Sequence, residues 1–331
     1  MQTKREIAIE FIKKHPANTP NLKLARMLNK KEPLLFNSEE HARTTIRTVQ
    51  GKTGGDRKVY LKDKSVVKVD DKPRNPYKLP LSDESEYKPF IFRGHKKIGI
   101  LSDIHIPYHN VEALTAAIQY LKKEKIDGLL LNGDCIDFYG ISRFSKDPRK
   151  RSFAGELAMF KELMIVFERE LKCKIYFKVG NHEVRYEHFL YQKAGELIGV
   201  EEFEFENIIQ ARAKGIQMIG STQYMKMNKL NGIHGHEYIG GISAPVNVAR
   251  GLYLRGKVSA FQGHNHSSST HTESDMDGKI VTTHSIGCLC SLSPGYMPLN
   301  KWNAGCAMVE LDPNGEDYEF HNKRIYRGKV F

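Results

Sequence analysis

Gly180-Asn181-His182-Glu183 sets an amide oxygen, an imidazole and a carboxylate side by side. A packed core has no use for that order, whereas a hard or borderline cation can take the amide and the imidazole directly. Four other stretches have a similar composition: Asp103-Ile104-His105, Gly133-Asp134, His234-Gly235-His236 and Gly263-His264-Asn265-His266. Together they offer carboxylates from Asp103 and Asp134, the amide of Asn181, and imidazoles from His105, His234, His264 and His266. This mixture of oxygen and nitrogen donors suits Mn²⁺, Fe or Zn²⁺ better than Ca²⁺ or an all-sulfur site. Seven ligands are too many for one such ion. They suit two ions about 3.5–4 Å apart sharing one carboxylate, an arrangement used for in-line displacement at phosphorus.

Each stretch follows a short apolar run that reads as a strand. The pattern predicts strands at 98–102, 128–132 and 174–179, with helices at about 111–124 and 153–171 between them, the βαβ alternation of an α/β fold. Further apolar runs at 215–220, 229–233, 257–262, 278–285, 304–311 and 317–326 predict a strand-rich second half, with one helix near 245–255. Ligands collect beyond the carboxyl ends of strands in α/β sheets, so the five polar clusters are expected to converge. Gly180 is expected to let the chain turn sharply as it leaves its strand.

The ordered set D-x-H, G-D, G-N-H-E, H and G-H-x-H resembles the calcineurin-like metallophosphoesterases over about residues 97–290. The resemblance implies a four-layer αββα sandwich of two mixed sheets and a hydrolase of phosphoric esters. Carried over, the family pattern gives the first cation to Asp103, His105 and His266 and the second to Asn181, His234 and His264, with Asp134 bridging. A hydroxide held between the cations is the implied nucleophile. His182 assists the leaving-group oxygen, and Glu183 orients His182 or nearby backbone. His234 matches the family ligand, which leaves His236 as a supporting or substrate residue; the alternative with His236 on the metal stays open. The implied cofactor is a pair of divalent ions, Mn²⁺ first, with Fe, Zn²⁺ or Ni²⁺ also suited.

Other candidates get plainer readings. His109 and Asn110 read as loop-capping residues and Asp137 as a local hydrogen-bonding partner. His15, His41, His95, His188, His271, His284 and His321 fall outside the pattern, and Cys288 and Cys290 read as small apolar residues. The aromatics of Ser293-Pro294-Gly295-Tyr296 and Trp302 either line the substrate cleft or, the reading preferred here, Trp302 anchors the tail on a sheet. Gly51-Lys52-Thr53 lacks the preceding glycine and strand of a phosphate-binding P-loop.

The 331-residue chain carries a net charge of +12, unevenly spread. Residues 1–97 hold 23 Lys and Arg against 12 Asp and Glu, and residues 98–331 hold 28 against 27. A basic appendage on a neutral domain is either a solvated tail or a polyanion-binding module. Apolar spacing predicts three short helices in the first 50 residues, a helix-turn-helix-like arrangement. Arg43, Thr44, Arg47 and Thr48 lie on the polar side of the third, followed by a basic hairpin at 51–58. The expected organisation is a basic helical domain at 1–60, a proline-bearing linker at 61–95 and a phosphoesterase domain at 96–331.

Family membership leaves the substrate open. Arg143, Lys146, Arg149, Lys150 and Arg151 follow the Gly133-Asp134 block, and Arg185 follows Glu183, so Arg143, Arg149, Arg151 and Arg185 are candidate substrate contacts. With the basic N-terminal region they favour a nucleic-acid phosphodiesterase or nuclease. The alternatives are a phosphomonoesterase acting on a phosphoprotein or nucleotide, and a DNA-binding regulator built on an inactive scaffold. No apolar run approaches the ~18 residues of a membrane span, the first residues lack a signal-peptide core, and five cysteines form no disulfide framework. A cytoplasmic location is therefore expected.

Overall fold

The structure is a computed structural model that describes residues 2–16, 19–53, 77, 79–80, 82, 87–143, 147, 149, 152–238, 247–315 and 317–331. The chain divides into two compact units, Met1–Glu84 and Ser85–Phe331. Residues 54–58 of the expected basic hairpin and most of the expected linker lie outside the described residues. Where that linker was expected to run on to residue 95, Phe90–Ile91 is already a strand paired into a sheet.

The first unit holds helices α1 (Lys4–Lys13), α2 (Asn21–Lys31) and α3 (Glu39–Val49). Apolar residues at helical spacing bury Phe11, Leu24, Leu28, Phe36 and Ile46 in one small core. A capping box starts α1: Glu6 N donates to Thr3 Oγ1 and Thr3 N to the Glu6 carboxylate. Ser38 caps α3 by accepting from His41 N. At the start of α2 the capping position is held by Pro20, with no side-chain bond. Arg43 and Arg47 are partly exposed on α3, and Arg43 pairs with Glu40 at 3.3 Å.

The second unit has two mixed sheets. One contains β2 (Lys97–Leu101), β3 (Gly128–Asn132), β4 (Lys174–Lys178), β5 (Gln217–Ile219), β11 (Gly305–Leu311), β12 (Tyr318–Tyr326) and β13 (Lys329–Val330), in the order β13-β12-β11-β2-β3-β4-β5. The other orders β1 (Phe90–Ile91), β6 (Met225–Met227), β7 (Leu230–Gly232), β8 (Ala260–Gln262), β9 (Ser269–Ser274) and β10 (Ile280–Ser285) as β1-β6-β7-β8-β10-β9. Strands β2, β3, β4 and β5 pair in parallel, as do β7 with β8 and β8 with β10.

Side-chain alternation builds the layers. Ile98, Ile100, Leu130 and Tyr176 face the other sheet and meet Met225, Met227, Leu230 and Phe261. Leu129, Leu131, Ile175 and Phe177 face outward onto Leu114 and Leu121 of α4 (Val111–Lys123) and Phe160, Met164 and Phe167 of α5 (Phe153–Leu171). Gly99 is small because Leu121 Cδ1 would lie 2.8 Å from a Cβ there. Beyond the second sheet lies Val248–Gly256, a helix whose Leu252 packs on Ile233 and Ala260. This is the helix–sheet–sheet–helix sandwich that the resemblance implied.

Candidate metal centre

Parallel pairing brings the five polar clusters to one end of the molecule. Asp103 and His105 follow β2, Gly133 and Asp134 follow β3, and Asn181 to Glu183 follow β4, three adjacent strands. His234 follows β7 and His264 and His266 follow the neighbouring β8. Backbone bonds tie the ends together: Asp103 N donates to Gly133 O at 3.1 Å, His105 N to Asp134 O at 2.9 Å, and Gly263 N to His234 O at 2.8 Å. Asp103, His105, Asp134, His264 and His266 all have positive φ, between 52° and 64°. Left-handed backbone costs a non-glycine residue on the order of 1 kcal/mol or more, and its concentration here marks a site rather than a core.

The donor atoms face one another. Asp103, His105 and Asp134 each place a ligand atom within 4.8 Å of the others, and so do Asp134, His234 and His264. His105 Nε2 and His266 Nε2 stand 3.2 Å apart, and His266 Nε2 is 3.2 Å from Asp103 Oδ1. His234 Nδ1 lies 2.6 Å from Asn132 O and donates to it, so Nε2 is the nitrogen turned toward the other donors. His234 Nε2 sits 3.2 Å from Asp134 Oδ2 without a hydrogen bond. Asn181 Oδ1 and His264 Nδ1 are likewise buried with no partner. Three unpartnered donors, one on each residue assigned to the second cation, fit a divalent ion and fit little else.

The charges agree with that fit. Burial alone would raise Asp103 and Asp134, yet the imidazoles around them hold both carboxyls below their ordinary range. Burial opposes a charged His234, but Asp134 and then Asp103 push its pKa up to about 10. Burial lowers His105 and His264. Protons on the imidazoles thus supply the positive charge that two buried carboxylates demand, a demand that cations would meet.

Glu183 is a brace, as one of its two expected roles required. Its buried carboxylate accepts Asp134 N (2.9 Å), Cys135 N (2.8 Å), Ile136 N (3.1 Å) and Gly180 N (2.8 Å). One side chain thereby fixes both the Gly-Asp and Gly-Asn-His-Glu turns. Gly180 serves a different purpose from the one expected: its φ is not positive, and its bare Cα leaves room for Asp134, onto which a Cβ would fall. The left-handed turn is at Gly133, φ +83°.

His182 is set beside the donors by its backbone, whose N–H donates to Asp134 Oδ1 at 2.9 Å. Its Nδ1 faces Asp137 O at 3.0 Å, and its Nε2 accepts from Arg185 Nη2 at 2.9 Å. Asp137 also meets His105 Nδ1 at 3.1 Å, and its backbone oxygen accepts from Arg185 Nη1 at 2.7 Å. The residue read as a local partner therefore orients His105 through its carboxylate and His182, the neighbour of Asn181, through its backbone oxygen. Sequence gave no separate signal for that double contact beyond its place three residues after Asp134.

His236 is not among the donor triads found in the described residues, whereas His234 is. Asn110 caps α4 through Ala113 N, and His284 stacks on Phe320 at 4.1 Å, both as expected. Two expectations need correction. Cys290 is more than a small apolar filler: its Sγ lies 3.9 Å from His266 Nδ1. Trp302 does not anchor the tail on a sheet but packs edge-on against His266, ring centroids 4.1 Å apart. Arg149 is bound by Asp147 through Nε at 2.9 Å and Nη2 at 2.8 Å, Arg143 is exposed, and Arg151 lies outside the described residues, as do Lys146 and Lys150. The five cysteines are unpaired, and no helix among the described residues is long and apolar enough to cross a membrane.

The model of the calcineurin-like phosphoesterase family matches residues 96–284. The chain belongs to that family. Among relatives of this calcineurin-like phosphoesterase, the gene 54 protein of Mycobacterium phage L5 is 25% identical over 232 residues, 66% of this chain and 89% of that protein. Its counterpart in Mycobacterium phage D29 is 22% identical over 237 residues, 66% and 90% of the two chains. Similar solved structures include Vps29 from Cryptosporidium parvum, with TM-score 0.39, 12% identity and coverage of 72% and 95%. YfcE, a phosphoesterase from E. coli, has TM-score 0.31, 13% identity and coverage of 68% and 98%.

Proposed function

We propose that this chain hydrolyses phosphodiester bonds in nucleic acid with a pair of divalent cations, Mn²⁺ first among them. The observation that carries the reading is the set of buried Asp103, His105, Asp134, His234 and His266 with half-buried Asn181 and His264, with unpartnered donor atoms on three of them. Asp103, His105 and His266 would hold one cation and Asn181, His234 and His264 the other, with Asp134 between. Bound there, the pair lowers the pKa of water and offsets phosphoryl charge.

The chain's own residues do the rest. A phosphoryl anion entering beside His182 draws the Arg185 guanidinium onto its oxygens, since paired N–H groups match phosphate geometry. That movement frees His182 Nε2, while Asp137 keeps hold of Nδ1. Burial opposes a proton on His182, but Asp134 and Asp137 together raise its pKa, so a released Nε2 carries a proton for the departing oxygen. The nucleic-acid part of the reading is supported by the basic first third of the chain, its three-helix unit with Arg43 and Arg47 partly exposed, and Arg185 at the site.

The test is hydrolysis of bis-(p-nitrophenyl) phosphate and of p-nitrophenyl phosphate, each with Mn²⁺ and with chelator, followed by DNA and RNA. Chelator-sensitive diester cleavage that extends to nucleic acid is the expected result. Monoester cleavage alone would replace this reading with a phosphomonoesterase, and no cleavage under any metal with retained DNA binding would replace it with a regulator.

A further inference from the structure

Beside the metal centre lies a recess of about 460 Å³ that no step above uses. Its walls include Leu292, Leu299, Lys301 and Trp302, from the loop after Cys290. Trp302 joins the recess to the site, because its ring stands edge-on to that of His266, centroids 4.1 Å apart. The ring of Tyr296 lies 6.3 Å from Trp302 and is 77% exposed. Loss of solvent first, and then the charge of Asp137, raise the pKa of its hydroxyl to about 12, against the opposing pull of Arg185. Leu299 is 94% exposed on the same loop.

The loop is built to hold this shape. Asn300 Nδ2 donates to Leu292 O at 2.8 Å and to Met297 O at 2.9 Å, and Trp302 N donates to Asn300 Oδ1 at 2.8 Å. Asn303 then fastens it to the ligand-bearing segment: its N–H donates to His266 O at 2.9 Å, and its Oδ1 accepts from Ser268 N at 2.8 Å. A loop pinned to itself and to a candidate metal-site histidine, with Tyr296 and Leu299 exposed and Trp302 half-buried against His266, is preorganised for a flat ligand.

We propose that this recess takes the nucleobase next to the scissile phosphate, packed against Trp302, with the ring of Tyr296, edge-on to Trp302, at its rim and Lys301 meeting the next phosphate along the strand. The inference rests on the phosphodiesterase reading above and adds the ligand's shape to it. Flat π-faces beside a cation suit a base within a polyanion, and stacking of this kind tolerates any base, so little sequence preference is expected.

The chain has a single tryptophan, so binding at Trp302 is visible without turnover. Thymidine 5′-monophosphate and 2-deoxyribose 5-phosphate, titrated into the full-length protein with and without Mn²⁺, differ only by the base. The nucleotide is expected to quench Trp302 saturably and the sugar phosphate to leave it unchanged; equal responses, or none to either, would overturn the proposal. Tyr296→Ala, at an exposed position, should weaken nucleotide binding at least about fivefold; unchanged affinity would also overturn it. A kinetic arm separates the two readings. With Mn²⁺, the p-nitrophenyl ester of thymidine 5′-monophosphate should exceed methyl p-nitrophenyl phosphate at least about tenfold in kcat/KM, a factor equal to ~1.4 kcal/mol. Equal turnover of both removes the base subsite and leaves the phosphodiesterase; base-dependent quenching with neither ester cleaved keeps the subsite and removes the phosphodiesterase.

Discussion

The ammonium of Lys178 meets the carboxylate of Glu237 at 3.0 Å, with the lysine side chain wholly buried. The same carboxylate accepts the backbone N–H of His234 at 3.0 Å and of Gly235 at 2.7 Å. Lys178 ends β4 in one sheet, and His234 follows β7 in the other. A buried ion pair thus sets a metal-site histidine at the correct height above its neighbour's strand. Burial lowers the lysine's pKa, and Glu237 opposes that fall. Lys178→Met leaves the largely buried Glu237 charged without its cation, at a cost of about 3–5 kcal/mol in urea unfolding. The pair Lys178→Met with Glu237→Gln should cost less than the sum of the single changes, and strict additivity would show that the two groups are not coupled.

Asp134 is the one carboxylate that reaches both donor sets, and its Oδ1 also accepts His182 N. Asp134→Asn should leave the circular dichroism spectrum unchanged, drop bound Mn²⁺ by elemental analysis, and lower diester hydrolysis on the order of 10³-fold, about 4 kcal/mol. Full metal content in that variant would displace Asp134 from the bridging position.

Arg185 contacts both His182 Nε2 and Asp137 O, a two-pronged geometry that an ammonium cannot copy. Arg185→Lys is expected to keep substrate affinity within a few-fold, because the charge remains, and to lower kcat about 10–100-fold. A change confined to KM would make Arg185 a simple electrostatic attractor.

Glu156 is 3% exposed, and its Oε2 has no partner among the described residues. Burial, then the nearby Asp137, raises its pKa from 4.5 to about 7. A carboxyl raised on folding favours the folded state in its protonated form. Its contribution is complete below about pH 4.5 and is lost as pH climbs through about 7, a change of ~3 kcal/mol. Glu156→Gln removes that titration, so the variant should gain ~3 kcal/mol on the parent between pH 4.5 and pH 8 in paired urea titrations. A pH-independent difference would count against it.

The donor residues were legible because parallel strands put their carboxyl ends on one side, and each cluster followed an apolar run. Helix Val184–Lys193 was not foreseen, since only Tyr186 and Leu190 are buried in its ten residues. Strand β9 was missed for a related reason: Ser269–Ser274 is a polar edge strand with no apolar alternation to reveal it. The contact of Asp137 with His105 and His182 joins residues 32 and 45 positions apart, and the partnership of Lys178 with Glu237 crosses from one sheet to the other. Local pattern carries no information about such pairs. Trp302 misled because an isolated aromatic near a strand usually packs on it, whereas here the loop carries it to His266.

Asp103, His105, Asp134 and Asn181 project from the seven-stranded sheet, and His234, His264 and His266 from the six-stranded one. Cations shared by these residues would rivet the two halves of the sandwich together. At a free concentration a hundred times the dissociation constant, such a rivet adds about 2.7 kcal/mol to the folded state. Metal starvation would therefore be felt first as a loosening along the seam between the sheets and a shorter lifetime against proteases. The supply of the ions would then set how long the molecule endures as well as how fast it works.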